Sequence, residues 1–304
     1  MQDQIRYVKR KDIDTQKWDE CIRNSPNGII YAYVFYLDCM ADQWDALVYN
    51  DYEAIMPLTW RKKYGVAYLY QPFFTQQSGI FSQQPVTASI IAAFLSVSKT
   101  YFRFAEIHLN FGNSEFEGPR LNNFILSLKQ PYDEICLSYK KDLKKNLLRS
   151  KKFKLIYQST LNYNSAISKF RTAYSKRLKD IKKADYTRLK KLCMTALERK
   201  MLLIREVRNN DNEILASLLC LNDGKRIYQL LSVTSQMGKK YEANHFLIDN
   251  LIREFQSTDL SLDFEGSDIP GIAHFYKNFG GENQPYYFFR FNNLPWPLRL
   301  LKKQ

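Results

Sequence analysis

The run LLIREVRNNDNEILASLLCLNDGKRIYQLLSV, residues 202–233, holds three apolar segments separated by two clusters of turn residues. Asn209-Asn210-Asp211-Asn212 and Asn222-Asp223-Gly224-Lys225 are rich in side chains that bond their own backbone or tolerate positive φ, the chemistry of a reversal between antiparallel strands. Strands are therefore expected over Leu202–Val207, Glu213–Leu221 and Arg226–Val233. A polar loop, Thr234–Ala243, follows, and then an amphipathic helix, Asn244–Phe255. Next come a strand Ser261–Phe264, the turn Glu265-Gly266-Ser267, a short helix Gly271–Asn278 stopped by Gly280-Gly281, and a last strand Tyr286–Phe291.

Upstream of this run the pattern predicts a helix over Tyr139–Lys152, a strand Lys154–Gln158 and a long helical region 165–200 broken near Ala184-Asp185. The second half thus reads β-α-α-β-β-β-α-β-α-β. The first half gives a looser version of the same order. Its expected strands are Ile5–Val8, Ala46–Asn50, Glu53–Trp60, Val66–Tyr70, Phe104–Leu109 and Phe124–Leu128. Its helices are expected at Asp14–Asn24, with Asp14 as N-cap, at Tyr31–Met40 and at Pro85–Lys99. The expected boundary lies near residues 130–137, at Gln130-Pro131, which divides the chain into domains 1–136 and 137–304.

Composition narrows the class. The chain has 304 residues, 45% hydrophobic and 15% aromatic, with few Gly and Pro, which suits a globular protein and excludes disorder, collagen or coiled coil as the whole answer. Five cysteines in no close-set pattern argue against a disulfide framework and predict a cytoplasmic setting. The stretch MQDQIRYVKRKDID has no apolar core, so no secretory leader is expected. His108, His245 and His274 lie far apart, and no metal site is expected. No P-loop, GxSxG elbow or Rossmann fingerprint is present.

The net charge of +14 is concentrated. Residues 140–200 hold 20 Lys and Arg against 4 Asp and Glu, whereas the rest of the chain is close to neutral. Such a segment is a pair of solvated helix faces, a nucleic-acid contact that includes tRNA, or a contact with an anionic membrane surface or polyanionic substrate.

The element order from 202 onward resembles the GNAT acyl-CoA N-acyltransferase fold, and Ala273-His274-Phe275-Tyr276-Lys277-Asn278-Phe279-Gly280 is similar to its A-x-x-[FL]-Y-x-x-x-G helix. Two such modules in one chain resemble the Fem-type aminoacyltransferases. Tyr139–Leu147 is similar to the helix that opens their second module, and Leu262–Ser267 with Gly271-Ile272-Ala273 is similar to its final strand, loop and helix. The resemblance implies a mixed α/β (α+β) fold of two modules, each with a centrally splayed sheet flanked by helices, the first module degenerate.

The resemblance also implies a chemistry: transfer of an acyl group from a CoA thioester or an aminoacyl-tRNA to an amine, on a small molecule or a peptide. The donor carbonyl would be polarised by backbone N–H groups of Leu231, Ser232 and Val233 where two parallel strands splay. Tyr276 matches the tyrosine that protonates the leaving group. Ile272, one turn earlier, is expected to share its packed face. Glu265 and Asp263, placed on one face by strand alternation, are candidates to take the amine proton through water. The counterpart of the pyrophosphate loop is Ser235-Gln236-Met237-Gly238-Lys239-Lys240, which keeps one glycine and puts Lys240 where a small residue is usual. Ser235, Gln236, Gly238, Lys239 and Lys240 are therefore the donor-binding candidates. Gln71, Phe73, Gln76 and Gln77, in an amide-rich loop at a strand end, are the acceptor-binding candidates. The rival reading is a binding protein that keeps the fold without the chemistry and holds RNA or a membrane through its basic centre.

Overall fold

The structure, a computed structural model, describes residues 4–266, 268–296 and 299. Ser267, expected in the turn after the penultimate strand, lies outside them. The chain forms two compact units. One runs to Leu121 and takes back the chain from Pro285 on; the other is Asn122–Gln284.

The first unit contains β1 (Ile5–Val8), α1 (Thr15–Asn24), α2 (Val34–Met40), β2 (Gln43–Tyr49), β3 (Ala54–Lys63), β4 (Val66–Tyr70), β5 (Phe81–Ser82), α3 (Ala88–Tyr101), β6 (Phe104–Leu109) and β7 (Arg120–Leu121). The second contains β8 (Phe124–Ser127), α4 (Tyr132–Leu137), α5 (Lys141–Ser150), β9 (Ile156–Ser159), α6 (Tyr163–Tyr174), α7 (Lys183–Glu198), β10 (Leu202–Arg208), β11 (Ile214–Asn222), β12 (Arg226–Thr234), α8 (Gln236–Lys240), α9 (Ala243–Phe255), β13 (Ser261–Asp263), α10 (Pro270–Asn278) and β14 (Glu282–Asn283). The last strand, β15 (Tyr286–Asn292), returns to the first unit.

Local chemistry accounts for many of these boundaries. Asp14 caps α1 as expected, its Oδ1 accepting from the N–H groups of Gln16 and Lys17 at 3.1 Å. Asn209 Oδ1 accepts from Glu213 N, and Asp223 Oδ1 from Lys225 N and Arg226 N, so both clusters turn the chain between antiparallel strands. The helical region breaks at 175–182, not at Ala184-Asp185. Asp185 instead starts α7, its Oδ2 accepting from Lys182 N at 2.8 Å.

The two sheets have the same topology. The first runs β1-β2-β3-β4-β6-β15-β7, with β5 also paired to β3; the second runs β9-β10-β11-β12-β13-β8-β14. In each, four antiparallel strands are followed by one parallel pairing, β4 with β6 or β12 with β13, and then by two antiparallel ones. The sixth place is filled by exchange. β8, from the first half of the sequence, pairs β13 in the second sheet, and β15, at the end of the chain, pairs β6 in the first. The division thus falls at Leu121/Asn122 rather than near 130–137, and residues from 285 onward do not belong with 137–284. An apolar strand of four to seven residues satisfies either sheet edge, and its own sequence carries no record of which one.

Each sheet is covered by helices over its own core. Leu215, Leu218, Cys220, Leu262 and Phe279 meet the buried stripe Ala243, Leu247, Ile248, Leu251 and Ile252 of α9 in the second unit. Leu47, Met56, Leu69, Phe94, Tyr287 and Phe289 build the first.

Candidate active site

The parallel pairing of β12 with β13 covers only Arg226↔Ser261, Ile227↔Leu262 and Tyr228↔Asp263. Two local features end it. On β12, the register with β11 passes from Leu219↔Leu231 to Cys220↔Gln229, so Leu230 is an extra residue and the strand bends there. On the other side Phe264 donates its N–H to Phe124 of β8 at 3.0 Å, and Glu265 and Gly266 adopt φ of 52° and 31°. A side chain at Gly266 would meet the Asn122 carbonyl oxygen at 2.1 Å. The two strands therefore part beyond Tyr228 and Asp263.

At the apex of this wedge the Gln229 Nε2 donates to the Tyr276 hydroxyl at 3.0 Å. The Tyr276 ring stacks on Phe264 at 4.6 Å and lies 6.3 Å from Phe124. Burial pushes its phenol well above the ordinary tyrosine range, against the Gln229 bond, so it stays protonated. It can give a proton but does not serve as a resting base. Gln229 Oε1 is buried at the same point with no hydrogen-bond partner. Ile272 does not share this packed face; it is 37% exposed, whereas Tyr276 and Phe279 both pack against Phe264.

Asp263 and Glu265 do not share a face either. β13 stops at Asp263, and the left-handed φ of Glu265 breaks the alternation. Asp263 is fully buried. Its carboxylate meets Arg226 Nη1 at 3.3 Å and accepts from Glu265 N at 2.9 Å. Burial raises its carboxyl despite Arg226. Its place is to tie the end of β13 to β12. Glu265 is half-buried, close enough to Tyr276 to raise the phenol further.

Beside the open end of β12 is a cavity of about 570 Å³. Of the donor-binding candidates, Ser235, Gln236, Gly238 and Lys239 line it, together with Tyr174, Arg177, Asn244, His245 and Phe275. Val233 lines a neighbouring cavity, Leu231 is buried, Ser232 Oγ approaches Asn244 Oδ1 at 3.5 Å, and Lys240 is exposed. Tyr276 lines neither cavity. Gly238 serves packing: a Cβ there would lie 2.2 Å from the Leu215 carbonyl oxygen, and its N–H donates to Ser235 Oγ at 2.9 Å.

His245 and Glu242 were not foreseen. Glu242, at φ 57°, accepts from Arg149 at 2.9 Å and lies 3.0 Å from His245 Nδ1, and Asn146 Nδ2 faces His245 Nε2 at 3.3 Å. Burial, with the Arg149 guanidinium nearby, lowers the imidazole to about 4, so it is neutral. Gln229 had a visible signal, a lone amide inside the apolar strand RIYQLLSV.

The first unit treats the corresponding wedge differently. β4 pairs β6 only at Leu69↔Ala105 and Tyr70↔Glu106. Beyond that the 71–79 loop fills the gap. Gln71 Oε1 accepts from His108 N and Gln77 Oε1 from Phe111 N, both at 3.0 Å, while Ser78 exchanges backbone bonds with His108 and Asn110. The Gln71 and Gln77 amides are therefore engaged within the unit. Phe73 and Gln76 keep part of their surface, although Gln76 also accepts from Gln77 and, through its carbonyl, faces His108 Nδ1.

Lys140, Lys141, Lys144 and Lys145 are all exposed on and just before α5. Among the described residues no disulfide joins any of the five cysteines, no group of side chains could hold a metal ion and no helix is long and apolar enough to cross a membrane.

No protein-family model matches this sequence, and no curated protein is similar to it. Solved structures do resemble it. FemX matches over 98% of this chain and 100% of its own, with a TM-score of 0.67 and 12% identity. L-PGS from Bacillus licheniformis covers 95% of each chain with a TM-score of 0.54 and 11% identity. A tandem GNAT protein from the clavulanic acid biosynthesis pathway covers 96% of this chain and 99% of its own, with a TM-score of 0.54 and 10% identity. The chain has the tandem GNAT-like fold in its Fem-type form.

Proposed function

We propose that this protein transfers an acyl or aminoacyl group to an amine, using the wedge of its second unit. The observation that carries the reading is the buried Gln229–Tyr276 pair where β12 and β13 part, with one amide atom of Gln229 left unpartnered. A donor carbonyl drawn into the wedge would meet the backbone of Leu231–Val233. Tyr276, held protonated, would supply the proton that the leaving group takes up, and Glu265 would take the amine proton through water. The donor is a CoA thioester or an aminoacyl-tRNA, held by Ser235, Gln236, Lys239 and Lys240. The single glycine of that stretch is spent on packing against Leu215, and the lysine-rich 140–200 segment offers phosphate contacts, so aminoacyl-tRNA is the better match. Phe73 and Gln76 are the candidates left for contact with the acceptor, and the setting is cytoplasmic.

Binding of acetyl-CoA and of aminoacyl-tRNA, followed by transfer of the labelled acyl group to amine acceptors, tests this. Tyr276→Phe is expected to lower kcat about 10²–10⁴-fold with the fold intact. Unchanged turnover would leave Tyr276 a packing residue. The burial of Tyr276 between Phe124 and Phe264 favours a second reading, a protein that binds the polyanion without transferring anything. Tight binding with no transfer to any amine would support that reading.

A further inference from the structure

A second cavity, of about 440 Å³, lies beneath α6 and shares Val233 and Ser235 with the proposed donor contacts. Its floor is the open end of the β11–β12 pair, where Ala216 stands opposite Thr234 and Ser217 opposite Val233. Its roof is the stretch of α6 that carries Ser168, Lys169 and Thr172, positions that share a face by helical spacing. The size is ordinary for a small-molecule site.

The walls differ in character by height. Ile214, Leu215, Ala216 and Val233 give the floor an aliphatic lining. In that floor Ser217, 1% exposed, has a hydroxyl oxygen with no hydrogen-bond partner. At the roof Lys169 has neither ion pair nor hydrogen bond among the described residues, and the hydroxyls of Ser168 and Thr172 flank it. No acidic side chain lines the cavity. An apolar floor, an unmatched ammonium at the rim and hydroxyl donors beside it select a ligand with an aliphatic body and an anionic head. One ammonium matches a single negative charge better than it matches a dianionic phosphate.

We propose that this cavity binds an amphiphilic carboxylate: a short aliphatic chain lies against Leu215 and Val233, which strand alternation and register put on one face, and its carboxylate accepts from Lys169 at the rim. The site stands whether or not the protein transfers acyl groups. It touches the donor cavity only through Ala173, Thr234 and Ser235.

The test is a titration of the full chain, labelled at its methyl groups, with octanoate. Saturable shifts are expected at Ile214, Leu215, Ala216 and Val233, with Leu47 and Met56 of the first unit unmoved. Lys169→Met should weaken octanoate at least tenfold, since a hydrogen bond to a charged group is lost. Octanamide, with a similar chain and no charge, should bind more weakly by a similar factor. Thr172→Trp should close the mouth and abolish the shifts. Lys169 is only partly buried and Thr172 is exposed, and unchanged methyl positions at Leu247, Ile248, Leu251 and Ile252 of α9 would show that the second unit keeps its fold in both variants. Shifts that rise without saturating, equal binding of octanamide, or wild-type affinity in Lys169→Met would each overturn the proposal.

Discussion

Phe289→Ala separates the observed exchange of strands from the order that the sequence suggests. Phe289 stands in β15 opposite Ile107 of β6, 5% exposed. Its ring lies 5.8 Å from Phe116 in an edge-on contact, within the core that holds Leu47, Met56 and Leu69. Truncating a core phenylalanine costs about 3–5 kcal/mol, and the lost aromatic pair places this site toward the upper part of that range. A domain has roughly 5–15 kcal/mol in hand, so the first unit loses a large fraction of its stability. At about 1.4 kcal/mol per factor of ten, global opening becomes more frequent by roughly 10² or more. Native-state hydrogen exchange read by mass spectrometry should show faster exchange in β2, β3 and β6, with β10, β11 and β12 unchanged. Leu126→Ala is the mirror experiment. Leu126 lies in β8 opposite Leu262, 7% exposed, and its loss should cost about 2–5 kcal/mol and loosen β10–β12 while sparing β2 and β3. Faster exchange of β10–β12 in Phe289→Ala, with β2 and β3 protected, would refute the exchange and return β15 to the second sheet.

Three further outcomes are expected. Gly238→Ala, which sets a methyl 2.2 Å from the Leu215 carbonyl oxygen, should destabilise the second unit by about 1–3 kcal/mol in urea unfolding, because the obstacle is backbone. Replacing Lys140, Lys141, Lys144 and Lys145 with Gln should bring elution from heparin to lower salt and flatten the salt dependence of polyanion binding; an unchanged profile would make them solvated side chains only. His245, lowered to about 4 from an ordinary 6.5, stays neutral in the folded chain while the unfolded chain takes up a proton. Its contribution is complete above pH 6.5 and is lost as pH falls from there toward 4, by at most about 3 kcal/mol, and His245→Gln should remove that part of the pH dependence in unfolding measurements at pH 7 and 5.

What was legible in the sequence and what was not divide along a physical line. Turns and caps are decided by neighbours in the chain, and so Asp14 at the start of α1, Asn209 and Asp223 at the two reversals, and Leu202–Val233 as three strands could be read directly. The partner of an isolated strand is decided by an edge far away in sequence. Nothing in Phe124–Ser127 or Tyr286–Asn292 distinguishes one parallel pair awaiting a sixth strand from the other. The same limit governs the site. Alternation predicted a shared face for Asp263 and Glu265 because it assumes that the strand continues, and a positive φ at Glu265 ends it.

The two wedges carry this furthest. Both sheets part after a short parallel pairing, two residue pairs in the first and three in the second. In the first, the amides of Gln71 and Gln77 reach the edge of β6 and take up backbone N–H groups that the parting leaves free. In the second, the chain past β12 goes directly into α8, with Ser235 N–H donating back to Leu215 across the sheet. Among the described residues no loop comparable to 71–79 lies between β12 and α8, and the amide at the apex, Gln229, keeps an unsatisfied oxygen. Buried polar atoms are rarely left so, because each costs about 1–3 kcal/mol. On the proposed reading, the wedge with the orphaned amide is the one that would receive the donor. The decisive variant is therefore Gln229→Leu. It keeps the volume and removes both the orphaned oxygen and the bond to Tyr276, so stability is expected to change by no more than about 1 kcal/mol, while binding of the proposed donor weakens. A clear loss of stability with donor binding unchanged would mean that Gln229 serves only the core.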